Sequence, residues 1–203
     1  ILSKAGNGIC HSVYYSRIGR PGTVLAGADS HSATAGALGM LGVGLGGLDV
    51  SAIMGGEPME LKMPAVIGVE VKGRLKPGVS AKDAALWLLK QLSVKGGVGK
   101  VLEYFGEGVE NLSVPQRATI ANMGAEMGAT SSVFPADEAV RRFLKAQGRE
   151  EDYLELADYY LPNQKEALKI TGTQSVEQAA EQAARQQMLA SLDSYYNGIY
   201  ADL

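Results

Sequence analysis

Cysteine is almost missing from this chain of 203 residues: Cys10 stands alone. A single thiol excludes an intramolecular disulfide and leaves too few thiolates for a zinc or iron-sulfur site held by this chain by itself, so a cysteine-held metal must be completed elsewhere. Histidine is nearly as scarce, with only His11 and His31. No apolar run reaches the roughly 20 residues that a membrane helix needs, because the longest gentle stretch, 33–50, is glycine-rich and contains Asp49; no membrane partner is expected. An excess of charge of one sign is also lacking. The 19 basic and 22 acidic residues are mixed along the chain for a net charge of -3, so nothing gathers a positive field for a phosphate backbone, and nucleic acid is not an expected partner. The first residues, Ile1-Leu2-Ser3-Lys4, carry neither a methionine nor the charged-then-apolar order of a secretion signal. They read as part of an internal piece, and a cytoplasmic location is expected.

What the chain has in abundance is glycine. Its 26 glycines exceed the usual share of about 7%, and they cluster between Gly6 and Gly108. With 46% hydrophobic residues the chain can bury a core. Thr23 to Ala26 reads as a short strand after the Arg20-Pro21-Gly22 turn, and Thr34 to Met54 reads as close-packed helix and turn. Ala65 to Val71 is a second expected strand. Ser80 with Asp83 marks the start of a helix that runs toward Gly96-Gly97. Val101 to Phe105 is a third expected strand, Ser113 to Met127 an expected helix, and Asp137 an expected cap for a helix ending at Gly148. The order is mixed α/β. Thr173 to Leu192, rich in alanine and glutamine, is helical by propensity and reads as a connector.

Few residues can carry chemistry. His11, among small and apolar neighbours, reads either as a hydrogen-bonded histidine near a core or as a catalytic one. In Gly27-Ala28-Asp29-Ser30-His31-Ser32, Asp29 with His31 is a candidate pair, since a carboxylate can orient an imidazole and hold its charged form, at the carboxyl end of a strand where open α/β sheets gather ligands. Asn122 and Glu126, four apart in the expected helix, would share a face, with Glu126 either a buried structural acid or a general acid/base. The run Gly96-Gly97-Val98-Gly99-Lys100 lacks the full phosphate-loop spacing, and a nucleotide site is discounted. Arg117, Arg141 and Arg142 read as surface charges or local ion pairs rather than as an anion site.

Seven segments in order resemble the aconitase superfamily of iron-sulfur hydro-lyases. They are G-N-G-I-C-H at 6–11, P-G-T-V-L-A-G-A-D-S-H-S at 21–32, G-V-G-L-G-G-L-D-V at 42–50, L-K-M-P at 61–64, K-D-A-A-L-W-L-L at 82–89, K-G-G-V-G-K-V-L-E-Y at 95–104, and N-M-G-A-E-M-G-A-T-S-S-V-F-P at 122–135. The resemblance implies a three-layer α/β/α fold with a mixed sheet, of the aconitase iron-sulfur-domain type. It divides the chain into the closing part of a first domain (1–64), a second α/β domain (65–160), and a polar helical connector leading into a following segment (161–203).

For the site, the resemblance implies that His11 pairs with Asp29 and His31 with Glu126, that Ser30 helps hold a substrate carboxylate, and that Asn122 stands beside the cluster. The implied cofactor is a 4Fe-4S cluster whose three cysteines, like the catalytic serine base and several substrate-binding arginines, belong to segments this chain lacks. No metal ligand is expected in this chain alone. The N-M-G-A-E and S-S-V-F-P segments favour aconitase proper. The implied substrates are therefore citrate, isocitrate and cis-aconitate, acted on together with the remaining aconitase domains, while the isolated chain is expected to be inactive. Homoaconitase, methylaconitase and isopropylmalate dehydratase-like subunits remain alternatives. A non-catalytic binding module on the same fold is another. Ser131-Ser132 replaces the family's usual threonine-containing pair before V-F-P.

Overall fold

A computed structural model describes residues 3–154; the expected connector at 161–203, including the alanine-rich stretch, lies outside the described residues. The class is α/β. In chain order the elements are α1 (Cys10–Arg17), β1 (Val24–Gly27), a 3-10 segment (Ser32–Leu38), β2 (Leu41–Gly44), α2 (Gly47–Met54), β3 (Ala65–Glu70) and α3 (Ala81–Leu92). Then follow β4 (Lys100–Phe105), α4 (Val114–Asn122), a 3-10 turn (Ala125–Met127), β5 (Ser131–Val133), α5 (Glu138–Ala146) and the short α6 (Glu151–Leu154).

Among the described residues, all paired strands run parallel. β1 pairs with β2, in register Val24 to Leu41 through Gly27 to Gly44, and a second sheet has the order β3-β4-β5. The antiparallel component is one isolated bridge, Val98 with Ala129. The 64/65 boundary read from the sequence falls between the two sheets, while the described residues belong to one compact unit. The sheets meet where Ser131 Oγ donates to the Gly42 carbonyl at 2.7 Å and the Phe134 amide to the Gly36 carbonyl at 2.9 Å. Glycine is required at that seam. A Cβ on Gly36 would strike the Ser132 carbonyl oxygen, and one on Gly42 would strike the carbonyl oxygen of Ser32.

Helix α4 separates two cores. On one side Ile120 and Ala121 pack with Leu102, Tyr104, Met127 and Phe134; on the other Val114 and Ala118 pack with Leu38, Met40, Val140 and Leu144. The helix starts are those the sequence marks. Ser80 and Asp83 form a reciprocal capping box on α3, with the Ser80 amide donating to Asp83 at 2.8 Å. Asp137 caps α5 by accepting from the Ala139 and Val140 amides, a cap worth about 1 kcal/mol.

Three expectations need correction, and one helix was not expected. The small-residue stretch 34–54 contains strand β2, which its glycines conceal because they allow close backbone approach where strand-forming side chains would ordinarily announce it. Helix α1 has no side-chain cap and buries only Val13, so little in its pattern signals it. The helix expected over 113–127 stops at Asn122. Beyond it the buried Gly124 lies against Ser132, and Gly128, at φ +75°, turns the chain into β5. Finally, Arg117 is no surface charge. It is fully buried, donating to the carbonyls of Val109, Leu112 and Pro135 and making a bidentate pair with Asp137 at 2.9 and 2.6 Å. Arg141 meets Glu138 and Glu150, as a local ion pair should, and Arg142 is exposed.

Candidate functional site

Strand β1 ends at Gly27, and the next turn is closed by Ser32, whose amide and hydroxyl both donate to the Asp29 carbonyl, at 3.1 and 2.8 Å. This turn aims the Asp29 carboxylate back toward α1. His11, the second residue of that helix, places Nδ1 2.9 Å from Asp29 Oδ1, and the same oxygen accepts the His31 backbone N–H at 2.9 Å. One carboxylate thus orients one imidazole and anchors the backbone of the other. The within-loop pairing of Asp29 with the His31 ring suggested by their spacing is therefore replaced by a ring contact to His11.

The His31 ring points elsewhere. Its Nε2 lies 3.4 Å from Glu126 Oε1, and its Nδ1 lies 3.1 Å from Ser30 Oγ. The two imidazole centroids are 5.7 Å apart. Glu126 sits in the 3-10 turn after α4, so it does not share a helical face with Asn122, and its side chain is 54% exposed, which removes the buried-acid reading. It reaches His31 because the chain breaks after Asn122. Ser30 contacts the ring of His31 and is otherwise open to solvent.

Asn122 lies on the other side of the site, its Nδ2 donating to Thr34 Oγ1 at 3.0 Å. A hollow of about 240 Å³ opens here, lined among others by His11, Tyr15, Thr34, Lys82, Thr119 and Asn122. Burial pushes the Tyr15 phenol up, which keeps it a neutral donor or acceptor at that wall. Sequence reading missed Thr34 and Lys82. Thr34 lies three residues beyond His31, in a segment whose small residues draw attention to packing, and Lys82 is hidden within the turn of a well-marked helix. The glycine run at 96–99 offers no phosphate loop, since Lys100 folds back to donate to the Gly96 carbonyl at 2.8 Å.

The constellation can hold two imidazoles with defined carboxylate partners beside a polar hollow, which is an arrangement for moving protons at a small polar ligand. As ligands for a four-iron cluster the chain's residues do not fit. Such a cluster needs thiolates, and Cys10 is the chain's one cysteine.

Comparison with known proteins places the chain in one family. The model of the family described as "Aconitase family (aconitate hydratase)" matches residues 1–192. The mitochondrial aconitate hydratase of Saccharomyces cerevisiae is 45% identical over 146 residues, covering 72% of this chain and 19% of that protein. The probable mitochondrial aconitate hydratase of Dictyostelium discoideum is 48% identical over 146 residues, with the same 72% and 19% coverage. The 3-isopropylmalate dehydratase large subunit 1 of Thermotoga maritima is 45% identical over 152 residues, covering 75% of this chain and 36% of that subunit. The chain therefore spans about a fifth of the length of the aconitate hydratases it matches. No helix among the described residues is long and apolar enough to cross a membrane.

Proposed function

The chain belongs to the aconitase family, and we propose that it supplies the paired-imidazole half of the active site of an aconitate hydratase that interconverts citrate and isocitrate through cis-aconitate. What carries the reading is the meeting of His11, in the first turn of α1, with Asp29 and of His31 with Glu126, in a chain whose relatives are named hydratases and dehydratases. The remaining domains of a longer protein supply the serine base, the cluster cysteines and the further substrate-binding arginines. The 203-residue chain alone is inactive.

In that reaction a hydroxyl moves between neighbouring carbons, so a proton must leave carbon and another must reach the departing oxygen. A 4Fe-4S cluster, if bound by the rest of the longer protein, would supply a Lewis acid for the hydroxyl. The work of this chain is proton handling and positioning. Asp29 fixes the orientation of His11 and, through the backbone amide, the position of His31. His31, 30% exposed and facing a solvent-open carboxylate, is the imidazole placed to deliver a proton to the leaving hydroxyl and to recover it through Glu126. Ser30, exposed beside His31, offers its hydroxyl to a substrate carboxylate, and Asn122, fixed by Thr34, presents a polar edge to the hollow where the cluster-bearing segment would close the site.

A second substrate reading rests on a specific finding. Identity to the isopropylmalate dehydratase subunit equals that to the yeast aconitate hydratase, so overall identity does not separate the two substrates. The test is to express the longer protein that contains this chain, reconstitute it anaerobically, and assay citrate, isocitrate and 3-isopropylmalate side by side. Turnover of citrate and isocitrate, together with the visible absorbance of an iron-sulfur cluster, supports the proposal. Turnover of isopropylmalate alone transfers it to the second reading, and a cluster-free protein without hydratase activity defeats both.

A further inference from the structure

Counting thiolates suggests that no metal is held here, but one thiolate, one imidazole and one carboxylate make a mixed donor set that such a count overlooks. One ligand atom each from Cys10, His11 and Asp29 lies within 4.8 Å of the other two. We infer that these three side chains form a site for a borderline-soft divalent cation, of which Zn²⁺ is the type, distinct from any iron-sulfur cluster.

The donors suit that ion. Zinc takes sulfur at about 2.3 Å and nitrogen or oxygen at about 2.0–2.2 Å, commonly with three protein ligands and a water. Tetrahedral ligands at those lengths stand roughly 3.3–3.6 Å apart. His11 Nδ1 and Asp29 Oδ1, at 2.9 Å, need to part only slightly, while the Cys10 sulfur, within 4.8 Å, needs to close by little more than an ångström. That closure is a side-chain rotation. Cys10 is exposed and stands at the first residue of α1. Asp29 Oδ1 already serves His11 and the His31 amide, while among the described residues Oδ2 has no hydrogen-bond partner, so the carboxylate has a second oxygen to offer. Soft sulfur with nitrogen and a single carboxylate selects zinc or cobalt over magnesium or calcium, which prefer sites built from oxygen.

The site does not depend on the hydratase reading. Its consequence does, because a cation bound here withdraws His11 and Asp29 from their pairing and so blocks the site as an inhibitor.

The experiment is a Co²⁺ titration of the reduced, iron-free 203-residue chain, followed by optical spectroscopy and competition with Zn²⁺. The expected result is a thiolate-to-cobalt charge-transfer band saturating at one equivalent and erased by Zn²⁺. Cys10→Ser should abolish the band, and Asp29→Asn should weaken binding by more than about tenfold, with circular dichroism checking that both variants fold. The exposed substitution Glu107→Gln, remote from the site, should change nothing. Absence of the band in the unaltered chain overturns the inference. So does Co²⁺ affinity unchanged in Cys10→Ser, or saturation at half an equivalent, which would mean that two chains share one ion through their cysteines. Because no arm measures turnover, failure here is separable from failure of the proposed hydratase activity.

Discussion

The two acid-imidazole pairs use the same groups yet are built differently. His11 and Asp29 meet at 2.9 Å, with the His11 side chain 13% exposed and the carboxylate also bound to a backbone amide; His31 and Glu126 meet at 3.4 Å, and more than half of the glutamate side chain is exposed. The first pair is fastened from two directions, by the first turn of α1 and by the turn after β1. In the second the carboxylate is a glutamate extended from the 3-10 turn after α4, and the His31 ring also meets Ser30 Oγ at 3.1 Å. The lesson is that a charge pair is held by the hydrogen bonds around it as much as by its own attraction. A scaffold that fixes one imidazole while leaving the other open to solvent divides the work into orientation and proton exchange.

The largest effect is expected from unsettling the fold that carries both pairs. Arg117→Met should cost about 3–5 kcal/mol, because it leaves Asp137 and three backbone carbonyls without their buried guanidinium; urea unfolding measures the loss, and both pairs should fail together. Next come the pairs themselves. In the longer protein, Glu126→Gln and His31→Gln should each lower kcat by about 10²–10⁴-fold. Glu126→Gln should leave stability within about 0.5 kcal/mol, since its side chain is largely exposed. Asp29→Asn should also lower kcat but cost about 1 kcal/mol of stability in addition, a figure kept modest because the carboxylate is partly solvated. Equal stability losses in Asp29→Asn and Glu126→Gln would erase the distinction drawn between the pairs.

Two smaller effects sharpen it by removing other sources of pH dependence. Burial raises the Tyr104 phenol well above its ordinary value of 10.0, an effect only partly offset by the nearby Ser132 hydroxyl, although the two hydroxyls do not meet in hydrogen-bond geometry. A raised folded-state value means that the stabilisation is complete below the unfolded value and is lost as pH rises through and beyond about 10. Tyr104→Phe should therefore flatten the alkaline fall in unfolding midpoint. At the acid end, hydrogen bonds from the Ser80 hydroxyl and amide hold the Asp83 carboxyl below its ordinary 3.8. Its contribution is present above that value and fades as pH falls below it, so Asp83→Asn should slightly flatten the acid limb of the same plot.

Much of this was legible in the chain itself. The α3 and α5 caps follow from Ser80, Asp83 and Asp137, and the strands at 65–70 and 100–105 follow from their apolar runs. Both acid-imidazole pairs follow from the family resemblance rather than from spacing, which joined Asp29 to His31 and put Glu126 on the wrong element. What stayed hidden had physical reasons. β2 is built partly from glycines chosen for backbone contact with Ser32 and Asp29, and α1 has no side-chain cap. Arg117 is charged yet wholly internal because carbonyls from three separate positions converge on it, a long-range arrangement that no local pattern announces.

The most direct measurement of the central claim is imidazole and amide NMR of the ¹⁵N-labelled 203-residue chain, compared with its Asp29→Asn and Glu126→Gln variants. Asp29→Asn should move the His11 ring signals and the His31 backbone amide together, whereas Glu126→Gln should move the His31 ring and leave His11 in place. A His11 ring unmoved by Asp29→Asn, or moved by Glu126→Gln as far as His31, would contradict the division of the site into a fastened pair and an exchanging one.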